Sequence, residues 1–236
     1  MLLAACSFRF HAASSDGAVE RDGPDVGSGD ASPAMPAFVQ QAIASADNSN
    51  SPVVATLAAM PVSGDLLVVI GGDSHGALTS VTGGGVATWT RATRSLANVN
   101  IEIWYGITDG SAAAVTVAYP ANNNPIWQLV TEWSAMASTN VLDAAMSMSG
   151  ESSPATAGAA GVGPRELALF AVADLTPNTF GTPAQGTWTA LMPVSSSSTT
   201  QQVWYAIATT PGSLAPSVPE TANSWDAAIA SFHAAH

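Results

Sequence analysis

The chain contains no lysine. Its only basic residues are Arg9, Arg21, Arg91, Arg94 and Arg165, set against 17 acids for a net charge of −12. Nucleic acid is excluded as a partner, because neutralising phosphates takes clustered cations. A basic face for docking on a membrane surface is excluded for the same reason. Charged residues of both signs make up only 9% of the 236 residues. The single cysteine, Cys6, leaves neither a disulfide framework nor a multi-thiolate metal site. No apolar run approaches the roughly 20 residues of a membrane-spanning helix.

What the chain does have is a pattern written twice. Ser51-Pro52 recurs as Ser153-Pro154, and Asp65-Leu66 as Glu166-Leu167. Trp89, Trp104 and Trp127 recur as Trp188, Trp204 and Trp225, at offsets of 99, 100 and 98 residues. Six of the seven tryptophans pair in the same order, which is the signature of an internal repeat. The repeats run over 38–136 and 140–236.

Each repeat reads as β-structure. Ile101, Ile103, Tyr105 and Ile107 alternate with Glu102, Trp104 and Gly106, a period of two. Leu66 to Ile70 is a continuous apolar run suited to a strand covered on both faces. Gly, Pro, Asn and Ser punctuate at the short intervals of sandwiches and barrels. Helix propensity favours a helix in the Ala-rich segment 225–233, but its repeat partner reads as strand, so a strand is expected. Pro216 and Pro219 fall opposite the strand Val115–Tyr119 and should reduce its counterpart to a short edge strand or loop. The fold class is all-β: an antiparallel β-sandwich built from two internal repeats of about 98 residues. The Gly-Asp-Leu-Leu-Val strand at 64–68, Thr88-Trp89-Thr90 and Trp104-Tyr105 resemble jelly-roll-like sandwich domains of bacterial secreted, surface and phage proteins. That resemblance implies a fold and transfers no catalytic residue.

The N-terminal segment 1–37 reads as an address and a tether. Leu3-Ala4-Ala5-Cys6 resembles a bacterial lipobox, in which the cysteine is acylated. Residues 12–37 are mostly Gly, Ser, Pro, Ala and Asp, a composition that cannot offset chain entropy and is expected to stay disordered. Lipidation at Cys6 would hold a β-sandwich on the bacterial cell envelope, lipid-anchored or secreted, with the anchor as its one membrane contact.

Candidate chemistry is sparse. Gly72-Asp73-Ser74-His75-Gly76 after an apolar strand looks like the first block of the GDSL-type hydrolases. The other blocks of that family are missing, and a serine nucleophile needs a base and an oxyanion hole in reach. His11, His75, His233 and His236 show no zinc-ligand spacing, and Glu102, Glu132 and Asp143 show no spacing logic for an acid pair. No catalytic residue, metal or cofactor is therefore expected. Strand parity sets Trp104 beside Glu102 and Trp204 beside Gln202, opposite their branched apolar neighbours. Two such indoles would make a platform for stacking flat apolar ligands such as sugar rings; the contrary expectation is that both are buried in the core.

The functional expectation is a non-catalytic, surface-tethered module that binds carbohydrate or a cell-surface partner. The alternatives are a self-associating subunit of an extracellular appendage or phage-like particle, and a secreted hydrolase using Ser74. The anchor is directly testable. Expressed with its genomic upstream region, the protein should partition into detergent, and Cys6→Ser should release it to the aqueous phase.

Overall fold

A computed structural model describes residues 34–46, 51–73, 76–120, 125–175, 179–195, 199–221 and 224–236. Cys6, the tether up to residue 33, Ser74 and His75 lie outside the described residues. The first half runs β1 (Ala37–Ala46), β2 (Val53–Thr56), β3 (Leu66–Asp73), β4 (Ser80–Gly83), β5 (Thr90–Ser95), β6 (Ile101–Ile107), β7 (Ala114–Ala118) and β8 (Ile126–Ser134). The second runs β9 (Leu142–Gly150), β10 (Ala155–Thr156), β11 (Ala160–Val162), β12 (Leu167–Asp174), β13 (Thr189–Ala190), β14 (Val194–Ser195), β15 (Thr200–Ile207), β16 (Gly212–Leu214), β17 (Ser217–Val218) and β18 (Trp225–Phe232). The described residues form no helix. The Ala-rich segment is the strand β18, and the strand between Pro216 and Pro219 has shrunk to the two residues of β17.

Two main antiparallel sheets carry the fold. The first has the order β1-β8-β3-β6-β5, and the second β13-β15-β12-β18-β9, with β14 also on β15. Read from β9 inward, the second order places corresponding strands as the first does. Small outer sheets flank them: β2-β7-β4 on one side, β10-β17 and β11-β16 on the other.

Period-two alternation explains the layering. Leu66, Val68 and Ile70 of β3 face Leu167, Leu169 and Ala171 of β12 in one central core. Leu67 and Val69 turn the other way and pack under Val53, Val115 and Val117 of the outer sheet. Ala168, Phe170 and Val172 do the same beneath Ala155 and Val218. Both faces of β3 and β12 are covered, so every residue in each is buried. That is why their sequences are unbroken apolar runs rather than alternating ones.

Two glycines make room for two tryptophans. Gly72 pairs with Trp127 across the β3–β8 ladder, and a Cβ on it would lie 2.2 Å from the indole. Gly150 pairs with Trp225 across β9–β18, where a Cβ would lie 2.4 Å from the ring. These two tryptophans are not counterparts, contrary to the repeat alignment. Asp73 pairs with Ile126 and Asp174 with Trp225, so the residue corresponding to Trp127 is Asp226. Trp127 faces the central core and Trp225 the outer one, because a shift of one residue reverses the face of a strand.

Asp226 takes the central position instead and ties the halves together. Fully buried on β18, it accepts hydrogen bonds from the backbone N–H of Asn98 (2.8 Å), Val99 (2.5 Å), Asn100 (3.1 Å) and Ala97 (3.4 Å), and from the Ser95 hydroxyl. All five donors lie in or beside the β5–β6 connection of the first half. Asn98 returns two bonds, from Nδ2 to the carbonyls of Gly150 and Trp225, each at 3.2 Å. A buried carboxylate is tolerated only when so satisfied. Asp226→Ala should therefore destabilise the fold by about 3 kcal/mol or more, because several part-buried N–H groups lose their acceptor at once; chemical denaturation measures it.

Candidate functional site

The outer face of β5 and β6 gathers Arg91, Glu102 and Trp104. Arg91 pairs with Trp104 across the ladder, and Arg94 with Glu102. Glu102 is fully buried. Its Oε1 accepts from the Leu78 backbone N–H at 2.7 Å and its Oε2 from the Trp104 indole N–H at 3.0 Å. The Arg91 guanidinium lies 3.6 Å from Oε2 and 5.5 Å from the centre of the Trp104 ring, in cation–π geometry. Trp104 is half-buried and Arg91 about one-third exposed. At the surface the group leaves a guanidinium and part of an indole, held over a buried carboxylate.

The matching place in the second half is closed. Trp204 pairs opposite Phe170 as Trp104 pairs opposite Val69, so parity alone gives the two indoles the same standing. Their surroundings differ. Trp204 is 3% exposed, stacked on Phe170 at 5.5 Å and met edge-on by Phe180 at 6.1 Å. Ala190 stands where the first half has Arg91, as the two registers show. Gln202, in the place of Glu102, spends its amide on the carbonyls of Leu191 and Val203. The expected platform on two indoles is thus corrected for Trp204: parity names a face but not what covers it, and here aromatic rings cover it.

The remaining candidates divide in the same way. Asp73, the acid of the GDSL-like segment, is buried at the end of β3, as Asp174 is at the end of β12. Asp226 and His233, the late acid–histidine pair, sit at opposite ends of β18, roughly 23 Å apart at about 3.3 Å per residue. Asp226 serves the β5–β6 connection, whereas His233 meets two acids that sequence spacing did not single out, Glu166 and Asp143. Nothing in their separations of 23 and 67 residues marks them, because each comes from a different strand end.

At the corresponding corner of the first half, two carboxyls meet. Asp65 hydrogen-bonds Glu132, and burial together with that neighbour pushes the Asp65 carboxyl up to about 6. Glu132 in turn accepts from Gln40 Nε2 at 2.5 Å and from the Val62 N–H at 2.8 Å. A carboxyl raised on folding holds its proton more tightly in the folded chain than in the unfolded one. Its contribution is therefore greatest at low pH and is lost as pH rises from about 4 to about 6. Asp65→Asn keeps a neutral partner for Glu132 throughout. The stability of that variant relative to the wild type should accordingly rise across this window, as measured by urea denaturation at pH 4, 5, 6 and 7; a difference that stays flat with pH would refute the shared proton.

Compared with protein-family models, curated proteins and solved structures, the chain matches none.

Proposed function

We propose that the chain is a surface-tethered binding module whose ligand contact is the face of Arg91 and Trp104 over the buried Glu102, and that it recognises carbohydrate or another ligand with one flat apolar side. The observation that carries this reading is the difference between two corresponding places. One half fills the position with aromatic rings and an alanine. The other keeps a guanidinium and a half-open indole over a buried carboxylate. An indole offers a sugar ring an apolar surface, and the arginine offers donors to its hydroxyls. A single aromatic contact is worth about 1 kcal/mol, so one site binds weakly. Many copies held on a membrane through Cys6 would gain by avidity. The lipobox-like start and the resemblance to jelly-roll-like bacterial surface and phage sandwiches agree with an envelope address.

A second reading, self-association into an appendage or particle, draws on a different patch. Two hydrogen bonds between Gln40 and Ala59 set the loop after β2 beside β1. Val39, Met60 and Val62 are 44%, 53% and 61% exposed there. Sedimentation of the soluble domain separates the readings, since only the second requires oligomers.

The binding face is tested on immobilised glycans. Trp104→Ala and Arg91→Ala should each abolish retention of the wild-type protein's ligands while the circular dichroism spectrum is kept. Trp204→Ala should instead cost about 3–5 kcal/mol of stability, as a buried large-to-small change does. Retention that survives both changes on the first face excludes it as the contact.

A further inference from the structure

At the end of the second main sheet, β9, β18 and β12 lie side by side and bring Asp143, His233 and Glu166 together. The register runs Leu167 to Phe232 and Phe232 to Leu142, while Ser231 pairs with Ala144. Asp143 is thus the extra residue of a β-bulge, a device that re-aims a side chain at the rim of a sheet. The first half has a bulge at the same place, between Phe38 and Gln40. There the corresponding residues are Val39, Asp65 and Ser134, so only the second half places a histidine and two acids around it.

The three side chains hold distinct positions. Glu166 is buried; its Oε2 accepts from the Gly163 N–H at 2.6 Å and its Oε1 meets His233 Nδ1. Both carboxylate oxygens are committed, and Nδ1 of the ring is taken up by Glu166. Nε2 is the ring nitrogen left to meet an ion. Asp143 Oδ1 lies 3.8 Å from it, too far for a hydrogen bond. Two ligand atoms each about 2.1 Å from one zinc ion lie roughly 3.4 Å apart at a tetrahedral angle and roughly 4.2 Å apart when collinear. The observed separation falls between these limits. A carboxylate on the far nitrogen of a ligating histidine is the usual support of a metal-bound imidazole. His233 and Asp143 are each about one-third exposed, and a cavity of about 470 Å³ lined by Met136, Asn140 and His236 opens beside the ring. Ion and water can reach the site.

We propose that His233 Nε2 and Asp143 Oδ1 bind a divalent first-row transition ion of the zinc type, with Glu166 as the positioning residue behind the imidazole. Water from the adjoining cavity completes the coordination. A ligand set of imidazole and carboxylate suits zinc and its neighbours over magnesium or calcium, which take oxygen ligands. This site is independent of the Trp104 face and stands whatever that face binds.

The test is calorimetric titration of the chelator-stripped full chain with zinc chloride, repeated with cobalt(II) to read the visible bands of the bound ion. One equivalent should bind, and magnesium should not compete. His233→Gln and Asp143→Asn should each lower zinc affinity at least tenfold. Glu166→Ala should lower it tenfold to a hundredfold and shift the cobalt bands, with Glu166→Gln restoring part of the loss because an amide oxygen still accepts from Nδ1. Zinc should raise the melting temperature of the wild type and leave that of Asp143→Asn unchanged. Asp143 is exposed enough that its variant reports even if a His233 variant does not fold. Unchanged affinity in Asp143→Asn, or binding abolished by His236→Ala alone, would overturn the assignment.

Discussion

The bond cluster around Asp226 is the point on which the two halves depend. The apolar central core supplies buried area but no directional bond between its leucine, valine and alanine faces. Asp226 adds position: one carboxylate on β18 gathers the backbone N–H groups of residues 97–100 and so fixes the β5–β6 connection over the second sheet. The faces of β3 and β12, with the Trp127 ring, share one core with Val99 of that connection.

The same economy recurs at several buried acids. With five arginines for 17 acids, the chain has too few cations to pair with most of its carboxylates. It uses backbone N–H groups instead. Glu102 receives Leu78, Glu132 receives Val62, Glu166 receives Gly163, and Asp226 receives a whole loop. Backbone donors bring no desolvated side-chain charge of their own, and satisfying a buried acid with them avoids the cost of a buried ion pair. Asp65, which meets another acid in Glu132, has its carboxyl pushed up to about 6.

Much of the fold is legible in the residues, and the limits are physical. The continuous apolar run of β3, the alternation of β6 and the prolines around β17 each carry a local signal that survives folding. The correspondence of Trp127 with Trp225 fails because matching residue types count positions along the chain, whereas a sheet counts faces. The burial of Trp204 depends on Phe180, 24 residues away and in no regular element. Trp104 was legible through parity, but its bond to Glu102 and the guanidinium above it needed the ladder. His233, Glu166 and Asp143 were invisible as a group, because strand ends distant in sequence meet only once the order β9-β18-β12 exists.

The paired bulges near the starts of β1 and β9 have a consequence for contact between copies of the chain. Both strands are the outermost of their sheets, and each is long enough, at 10 and 9 residues, to recruit a strand from a neighbouring molecule. A flat edge of that length is a template for sheet-to-sheet aggregation. One extra residue twists the edge and breaks the regular spacing of its free donors and acceptors. The feature that aims Asp143 in one half thus also interrupts the regular edge of the outermost strand in both, without any lysine to guard it.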